Sequence, residues 1–247
     1  MKYLVKFLSI IYSIFIFIPL AITTSTIIFI LIIIMTPIAG ENKWGYYPGR
    51  VLGRIMCILA LTRIKVIGNE NIDPNQSYIF VANHQSMFDI FLIYGYLNAK
   101  FKWIMKQEIR KTPLLGKACE SMGHIFVDRS NPMRAQKSLK EAEQRLLQGH
   151  NSIFLFPEGT RSANGKIGRF KRGAFTIARD LHFPIIPVSI SGANNVLPKG
   201  GWYITPSTIT MTIHQPINTT NLNDDNLNEM IDNVKYIVEK DIKTTKR

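Results

Sequence analysis

From Phe7 to Gly40 the chain carries no charged residue, with Lys2 and Lys6 before the run and Glu41 and Lys43 after it. About 20 apolar residues cross a bilayer once, so the run is long for one upright span and short for two. Pro19 and Pro37 punctuate it, and Pro19 sits where a helix would kink or break. The pattern predicts two hydrophobic helices, Tyr3 to Phe17 and Leu20 to Met35, making residues 1–40 a membrane-embedded unit. They would form a hairpin in one leaflet or a strongly kinked, tilted span. Positive charge on both flanks favours the hairpin, with both flanks cytoplasmic. A cleaved signal peptide shares the basic start, but hydrophobicity continues through Ile27 to Met35, past a normal cleavage point.

Beyond residue 40 the period shortens and alternates. Trp44 to Leu61 reads as a basic amphipathic helix, suited either to a bilayer surface or to an ordinary core. Strands are predicted at Arg63 to Ile67, Tyr78 to Val81, Lys102 to Met105, His124 to Val127, Ser152 to Phe156, Ile185 to Ile190 and Thr208 to Ile213. Helices are predicted at Met87 to Leu97, Pro113 to Met122, Met133 to Leu147, Gly173 to Leu181 and Asn221 to Ile242. Alternating strands and helices imply an α/β single domain, residues 41–247, with a central mixed sheet flanked by helices.

Chemistry enters where an apolar strand ends. Tyr78-Ile79-Phe80-Val81 runs into Asn83-His84, and Ser86 opens the next helix. An imidazole at the C-terminal tip of a strand lies where open α/β sheets bind ligands. His84 and Asp89 are five positions apart. On one helix they would point about 140° apart, whereas His84 before the helix and Asp89 in its first turn can meet. Asp89 would then hold one ring nitrogen and leave the other free as a base. Ser86 and Asp89 also form an S-x-x-D capping box, on which reading Asp89 serves only the helix start.

A second constellation follows Ser152 to Phe156: Pro157-Glu158-Gly159-Thr160-Arg161-Ser162. Gly159 permits close backbone approach to a ligand. Arg161 offers a donor fork suited to phosphate, and Glu158 can accept from a hydroxyl. Lys166, Arg169, Lys171 and Arg172 follow; most runs of this kind are solvated surface, as is a plain tight turn. Arg129, at the tip of its own strand, is a further phosphate candidate or a surface ion-pair partner.

Charge changes the picture in one respect. Thirty Lys and Arg against 17 Asp and Glu give a formal net charge of +13, which calls for an anionic partner such as phospholipid, phosphorylated substrate or acidic carrier. Nucleic acid has only this charge in its favour, with no recognition motif. Cys57 and Cys119 are far apart in apolar surroundings and read as buried thiols in a reducing compartment; no metal-ligand pattern is visible.

Asn83-His84-Gln85-Ser86-Met87-Phe88-Asp89 resembles the N-H-x-x-x-x-D motif of the glycerolipid acyltransferases. Gly123 to Arg129 resembles their second block, Phe156 to Ser162 their F-P-E-G-T-R-S block, and Ile186-Pro187-Val188 their fourth, all in the family's order over residues 45 to 215. The resemblance is greatest to the bacterial branch that acylates 1-acyl-glycerol-3-phosphate. It implies fatty acyl transfer from a thioester, acyl-CoA or acyl-acyl carrier protein, to the sn-2 hydroxyl of lysophosphatidic acid, with glycerol-3-phosphate or a lyso-aminolipid as alternative acceptors. His84 would be the base and Asp89 its orienting partner. Glu158, Gly159, Thr160, Arg161, Arg129, Lys106 and Lys171 would bind substrate. Backbone N–H groups near Ser86 or Gly159 would hold the oxyanion. No cofactor or metal is called for, and the expected location is the inner membrane, with the catalytic domain on the cytoplasmic side.

Overall fold

The computed structural model describes residues 2–40, 44–128, 133–134, 137–138, 140–141, 146, 151–162 and 165–242. Most of the helix expected at Met133 to Leu147 therefore lies outside the described residues, as does Arg129.

Seven strands form one sheet: β1 (Arg63–Ile67), β2 (Ile79–Ala82), β3 (Phe101–Lys106), β4 (Ile125–Val127), β5 (Ser152–Leu155), β6 (Ile185–Ser191) and β7 (Thr208–Ile213), in the order β1-β7-β6-β2-β5-β3-β4. Neighbours pair in parallel except β6 with β7, so the sheet is mixed. β2 and β5 are buried at every position. Strands covered on both faces read as unbroken apolar runs rather than alternation, which is how both appear in the sequence. The edge strand β1 alternates between exposed and half-buried residues.

Helices cover the two faces. α3 (Tyr47–Leu59), α4 (Phe88–Tyr96) and α5 (Leu115–Ser121) precede α6 (Gly173–Leu181) and α7 (Leu227–Lys240). Phe88, Leu92 and Ile93 of α4 join Phe80, Phe154 and Ile186 in one core. Phe175 and Ala178 of α6 join Ile79, Val81 and Ile153 in another. Successive side chains of β2 thus point to opposite cores. The connection leaving β2 runs through α4 to β3 on one side, and the connection leaving adjacent β5 runs through α6 to β6 on the other. Neighbouring strands with diverging connections leave a crevice at their C-terminal ends, the switch point where open α/β sheets bind ligands.

α7 begins later than Asn221. Asn223 Oδ1 accepts the N–H groups of Asp225 and Asn226, and Asn226 Oδ1 accepts that of Asn223. Short amide side chains compete in this way with helical hydrogen bonding, so the helix waits until Leu227.

The N-terminal run does not reverse. α1 (Lys2–Tyr12), a π-helical turn (Ser13–Phe17) and α2 (Ile18–Ala39) follow one another, and Tyr12, Phe17 and Ile18 all keep helical dihedrals. The expected two-helix hairpin is therefore not formed. A proline ring collides with the carbonyl four residues before it. The wider π turn immediately before Pro19 accommodates that ring without a reversal. The apolar helical run Tyr3–Ala39 is 37 residues, about 55 Å at 1.5 Å per residue. It lies against the domain at several points. Tyr12 Oη donates to Leu59 O (2.9 Å), and Ile204 N–H donates to Ser13 Oγ (2.9 Å). Phe17 meets Phe88 with ring centroids 6.1 Å apart, and Ile28 and Ile32 pack with Leu52, Met56, Ala118 and Met122. Its other face exposes Phe7, Phe15, Ile22, Ile27 and Ile38.

Candidate active site

His84 lies two residues past the end of β2, and Asp89 lies in the first turn of α4. His84 Nδ1 is 2.8 Å from Asp89 Oδ2, and the carboxylate is fully buried while the imidazole keeps 14% of its surface exposed. A buried carboxylate accepts, so Nδ1 carries the proton and Nε2 is left as the acceptor. The same Oδ2 accepts the N–H groups of Gln85 (2.6 Å) and Ser86 (2.8 Å). Ser86 Oγ accepts the Phe88 N–H at 3.1 Å. The contacts that the capping reading needs and those that the base-orienting reading needs are both present at Asp89: one oxygen closes the helix start and holds the ring.

The turn is fixed from both neighbouring strands. The buried Asn83 side chain donates to Ile190 O (2.9 Å) and accepts the Ile190 N–H (2.8 Å), extending the β2–β6 pairing by one side-chain rung. From the other side the Phe156 ring stacks on the His84 ring, centroids 3.9 Å apart and planes within 8°. Trp103 stacks behind Phe156 at 5.4 Å.

Glu158 is buried. Its Oε1 accepts the His84 N–H at 2.9 Å and its Oε2 the Gly168 N–H at 2.7 Å, while Ser162 N–H donates to His84 O at 2.8 Å. Glu158 thus ties the turn after β2 to the loop between β5 and α6. A Cβ at Gly168 would come within 3.1 Å of that carboxylate oxygen, so only glycine closes there without a shift. Burial raises the Glu158 pKa, against the lowering effect of the two N–H donors. Gly159 adopts φ +73°, the left-handed geometry that turns the chain after Glu158.

Beside the imidazole loop opens a cavity of about 400 Å³ lined by Glu158, Thr160, Arg161, Ser162, Lys166, Gly168, Arg169 and Lys171. Four cations against one carboxylate give it a positive potential suited to an anion. Of the expected substrate-binding residues it gathers Glu158, Thr160, Arg161 and Lys171, with Gly159 in the same turn. Lys106 is not in its lining; at the end of β3 it is more than half exposed and pairs with Glu108 at 3.0 Å. Arg129 lies outside the described residues. The expected oxyanion donors are already engaged: Gln85 and Ser86 N–H by Asp89, and Gly159 N–H by Phe156 O. Cys57 and Cys119 are free, buried thiols pushed up to about 12 by burial, hence inert.

In the sequence Asn83 and Phe156 stand inside the recognised motifs without a role of their own, and Gly168 stands outside them. Phe156 reads as the last apolar residue of its strand, and nothing in its spacing says that it faces His84. Asn83 and Gly168 carry weak signals, as a polar residue ending a buried strand and a glycine in a basic loop.

Comparison with known proteins gives the same picture. A family model described as "Acyltransferase" matches residues 63–191. A 1-acyl-sn-glycerol-3-phosphate acyltransferase of Cocos nucifera is 31% identical over 87% of this chain and 70% of its own length. The Homo sapiens 1-acyl-sn-glycerol-3-phosphate acyltransferase alpha is 32% identical over 70% of this chain and 62% of its own. The crystal structure of the 1-acyl-sn-glycerophosphate (LPA) acyltransferase PlsC from Thermotoga maritima superposes with a TM-score of 0.79, at 29% identity, over 96% of this chain and 97% of that one.

Proposed function

The chain belongs to the acyltransferase family, and from that premise we propose that it moves a fatty acyl group from a thioester to the sn-2 hydroxyl of 1-acyl-glycerol-3-phosphate. The product is phosphatidic acid. The observation that carries this reading is a half-buried imidazole, one nitrogen held by a buried carboxylate, beside a cationic cavity at the switch point of the sheet.

His84 Nε2 takes the hydroxyl proton as the acceptor oxygen attacks the thioester carbonyl. The imidazolium that forms is stabilised by Asp89 2.8 Å away. As the tetrahedral species collapses, the C–S bond breaks and the thiolate takes the proton back from His84. The acceptor oxygen is itself the nucleophile, so the enzyme needs none of its own. The acceptor's phosphate occupies the cavity of Arg161, Lys166, Arg169 and Lys171, which fixes the hydroxyl near His84. Glu158 keeps the two loops in register and has carboxylate lone pairs left for a glycerol hydroxyl. With the amides of Gln85, Ser86 and Gly159 engaged, the Arg161 guanidinium is the group we assign to the developing oxyanion or the phosphate beside it.

The donor is acyl-CoA or acyl-acyl carrier protein. The catalytic domain lies on the cytoplasmic side of the inner membrane, and the acceptor enters sideways from the bilayer. Docking of α2 along α3 and α5 supports a helix lying beside the domain in one leaflet. The test is purified enzyme with each donor paired to lysophosphatidic acid, glycerol-3-phosphate and a lyso-aminolipid, products identified by mass. Phosphatidic acid formed by the native protein and absent with His84→Ala supports the assignment. Transfer that persists in His84→Ala removes the mechanism, and exclusive use of another acceptor removes the substrate.

A further inference from the structure

The loop between β6 and β7 connects three parts of the molecule that the reaction must coordinate. Leu197 O accepts the Ser86 hydroxyl at 2.7 Å, at the capped start of α4. Lys199 Nζ donates to Arg161 O at 2.9 Å, in the wall of the cationic cavity. Ile204 N–H donates to Ser13 Oγ at 2.9 Å, inside the π turn of the apolar helix, and both Ser13 and Ile204 are buried. Eight residues thus run from the catalytic helix to the membrane helix, along the edge of the sheet where β2 and β5 end.

Between these attachments the loop carries Gly200, at φ +81°, Gly201, and then Trp202. Trp202 is 55% exposed, and its ring meets that of Tyr203 edge-on with centroids 5.4 Å apart. A large indole held in water by a fixed loop loses the stabilisation that burial would give it. Tryptophan and tyrosine are enriched at the headgroup level of a bilayer, and lysine is drawn to an anionic leaflet. Ile14, Phe15 and Ile16, next to Ser13 in the π turn to which Ile204 is bonded, are exposed as well.

We propose that the Lys199–Tyr203 loop is a second bilayer contact, with Trp202 seated among lipid headgroups and upper acyl chains. The inference rests on the membrane association of the Tyr3–Ala39 helix. The occupant is a phospholipid surface, because the loop is bonded to the helix that enters it and carries the Trp–Lys pair suited to an interface. Seating this loop fixes the height of the cavity wall at Arg161 and of the Ser86 cap relative to the membrane plane, so the acceptor's phosphate and sn-2 hydroxyl meet the site without leaving the bilayer.

The full chain is reconstituted with phosphatidylcholine/phosphatidylglycerol vesicles and recovered by flotation. Intrinsic fluorescence is compared between the native protein and Trp202→Phe, so that the difference spectrum belongs to Trp202 and not to Trp44 or Trp103. The expected result is a difference spectrum that shifts to the blue on vesicles. Lipids brominated near the headgroup should quench it, and aqueous iodide should lose its effect. A difference spectrum that stays red and iodide-quenched in floated protein overturns the proposal while leaving the helix as a membrane element. Failure of the native protein to float overturns both. Neither readout requires turnover, so the acyltransferase assignment is tested separately.

Discussion

Asp89→Asn separates charge from geometry at this site. In the native protein Asp89 Oδ2 accepts from His84 Nδ1, Gln85 N–H and Ser86 N–H, and Oδ1 has no hydrogen-bond partner among the described residues. Two backbone donors therefore force the asparagine oxygen into the Oδ2 position and its NH₂ into the Oδ1 position. The imidazole then still faces an acceptor and keeps its tautomer. This differs from the serine-protease case, where the amide substitution costs about 10⁴-fold through the wrong tautomer. What is lost is the attraction between carboxylate and imidazolium. At an effective dielectric near 20 and about 4 Å this is about 4 kcal/mol, and the difference between charged and neutral hydrogen bonds sets a lower figure of about 1. The expected fall in kcat is therefore about 5- to 1000-fold. The NH₂, buried without an acceptor, adds about 1–3 kcal/mol of destabilisation. Steady-state kinetics and thermal melting of the purified variant measure both. A fall beyond about 10⁴-fold in a folded protein would show that the backbone donors do not fix the amide. A fall under about fivefold would leave Asp89 as a cap and nothing more.

Phe156→Leu should lower kcat by about 2- to 30-fold with little change in KM, because a stacked ring 3.9 Å from the imidazole is worth about 0.5–2 kcal/mol and interacts more strongly with the cation; Phe156→Tyr should retain activity, and a pure KM effect would sink this account. Arg161→Ala and Lys171→Ala should raise the acceptor KM well above any change in donor KM, each charged hydrogen bond being worth about 1.5–3 kcal/mol, while Lys106→Ala, outside the cavity, should stay within about twofold; parallel kinetics on the three variants decide it. Burial, reinforced by Lys102, lowers the His124 pKa to about 3. A depressed pKa means that the unfolded chain takes up the proton first. Stability is therefore full above about pH 6.5 and falls as the pH drops towards 3, by at most about 1.4 kcal/mol per pH unit; His124→Gln should flatten that acid limb in melts between pH 7 and 4, and an unchanged slope would refute the assignment.

Much of this site was legible because strands report their own ends. The buried runs at Ile79–Ala82 and Ser152–Leu155 stop at residues with unusual chemistry, and a buried strand that ends in Asn-His or in Pro-Glu-Gly has few structural reasons to do so. What the sequence could not supply was adjacency. His84 and Phe156 are far apart along the chain, and their stacking depends on β2 and β5 being parallel neighbours in register, Val81 opposite Leu155. The resemblance implied the same substrate-binding role for Lys106 and Lys171. In the structure Lys106 pairs with Glu108 and is not in the cavity lining, β3 continuing along β4 to Lys106 beyond its pairing with β5. The N-terminal run misled for another reason. Pro19 breaks an isolated α-helix, but a π turn in the residues before it absorbs the ring, and no composition rule distinguishes the two outcomes.

On the proposed mechanism, the double duty of Asp89 explains how a loop residue can serve as a catalytic base without wandering. An imidazole on a free loop must be ordered each time it works, at a cost in side-chain and backbone entropy. Here the carboxylate that orients the ring also closes the first turn of α4, so the ring is ordered by the same event that forms the helix. Asn83 locks the preceding residue to β6, and Glu158 takes the His84 amide from the β5 side. The base is therefore fixed by three elements that meet only when the sheet is complete. Competence for proton transfer arises with the fold itself, which is why charge at Asp89, rather than ring placement, is the quantity its amide variant isolates.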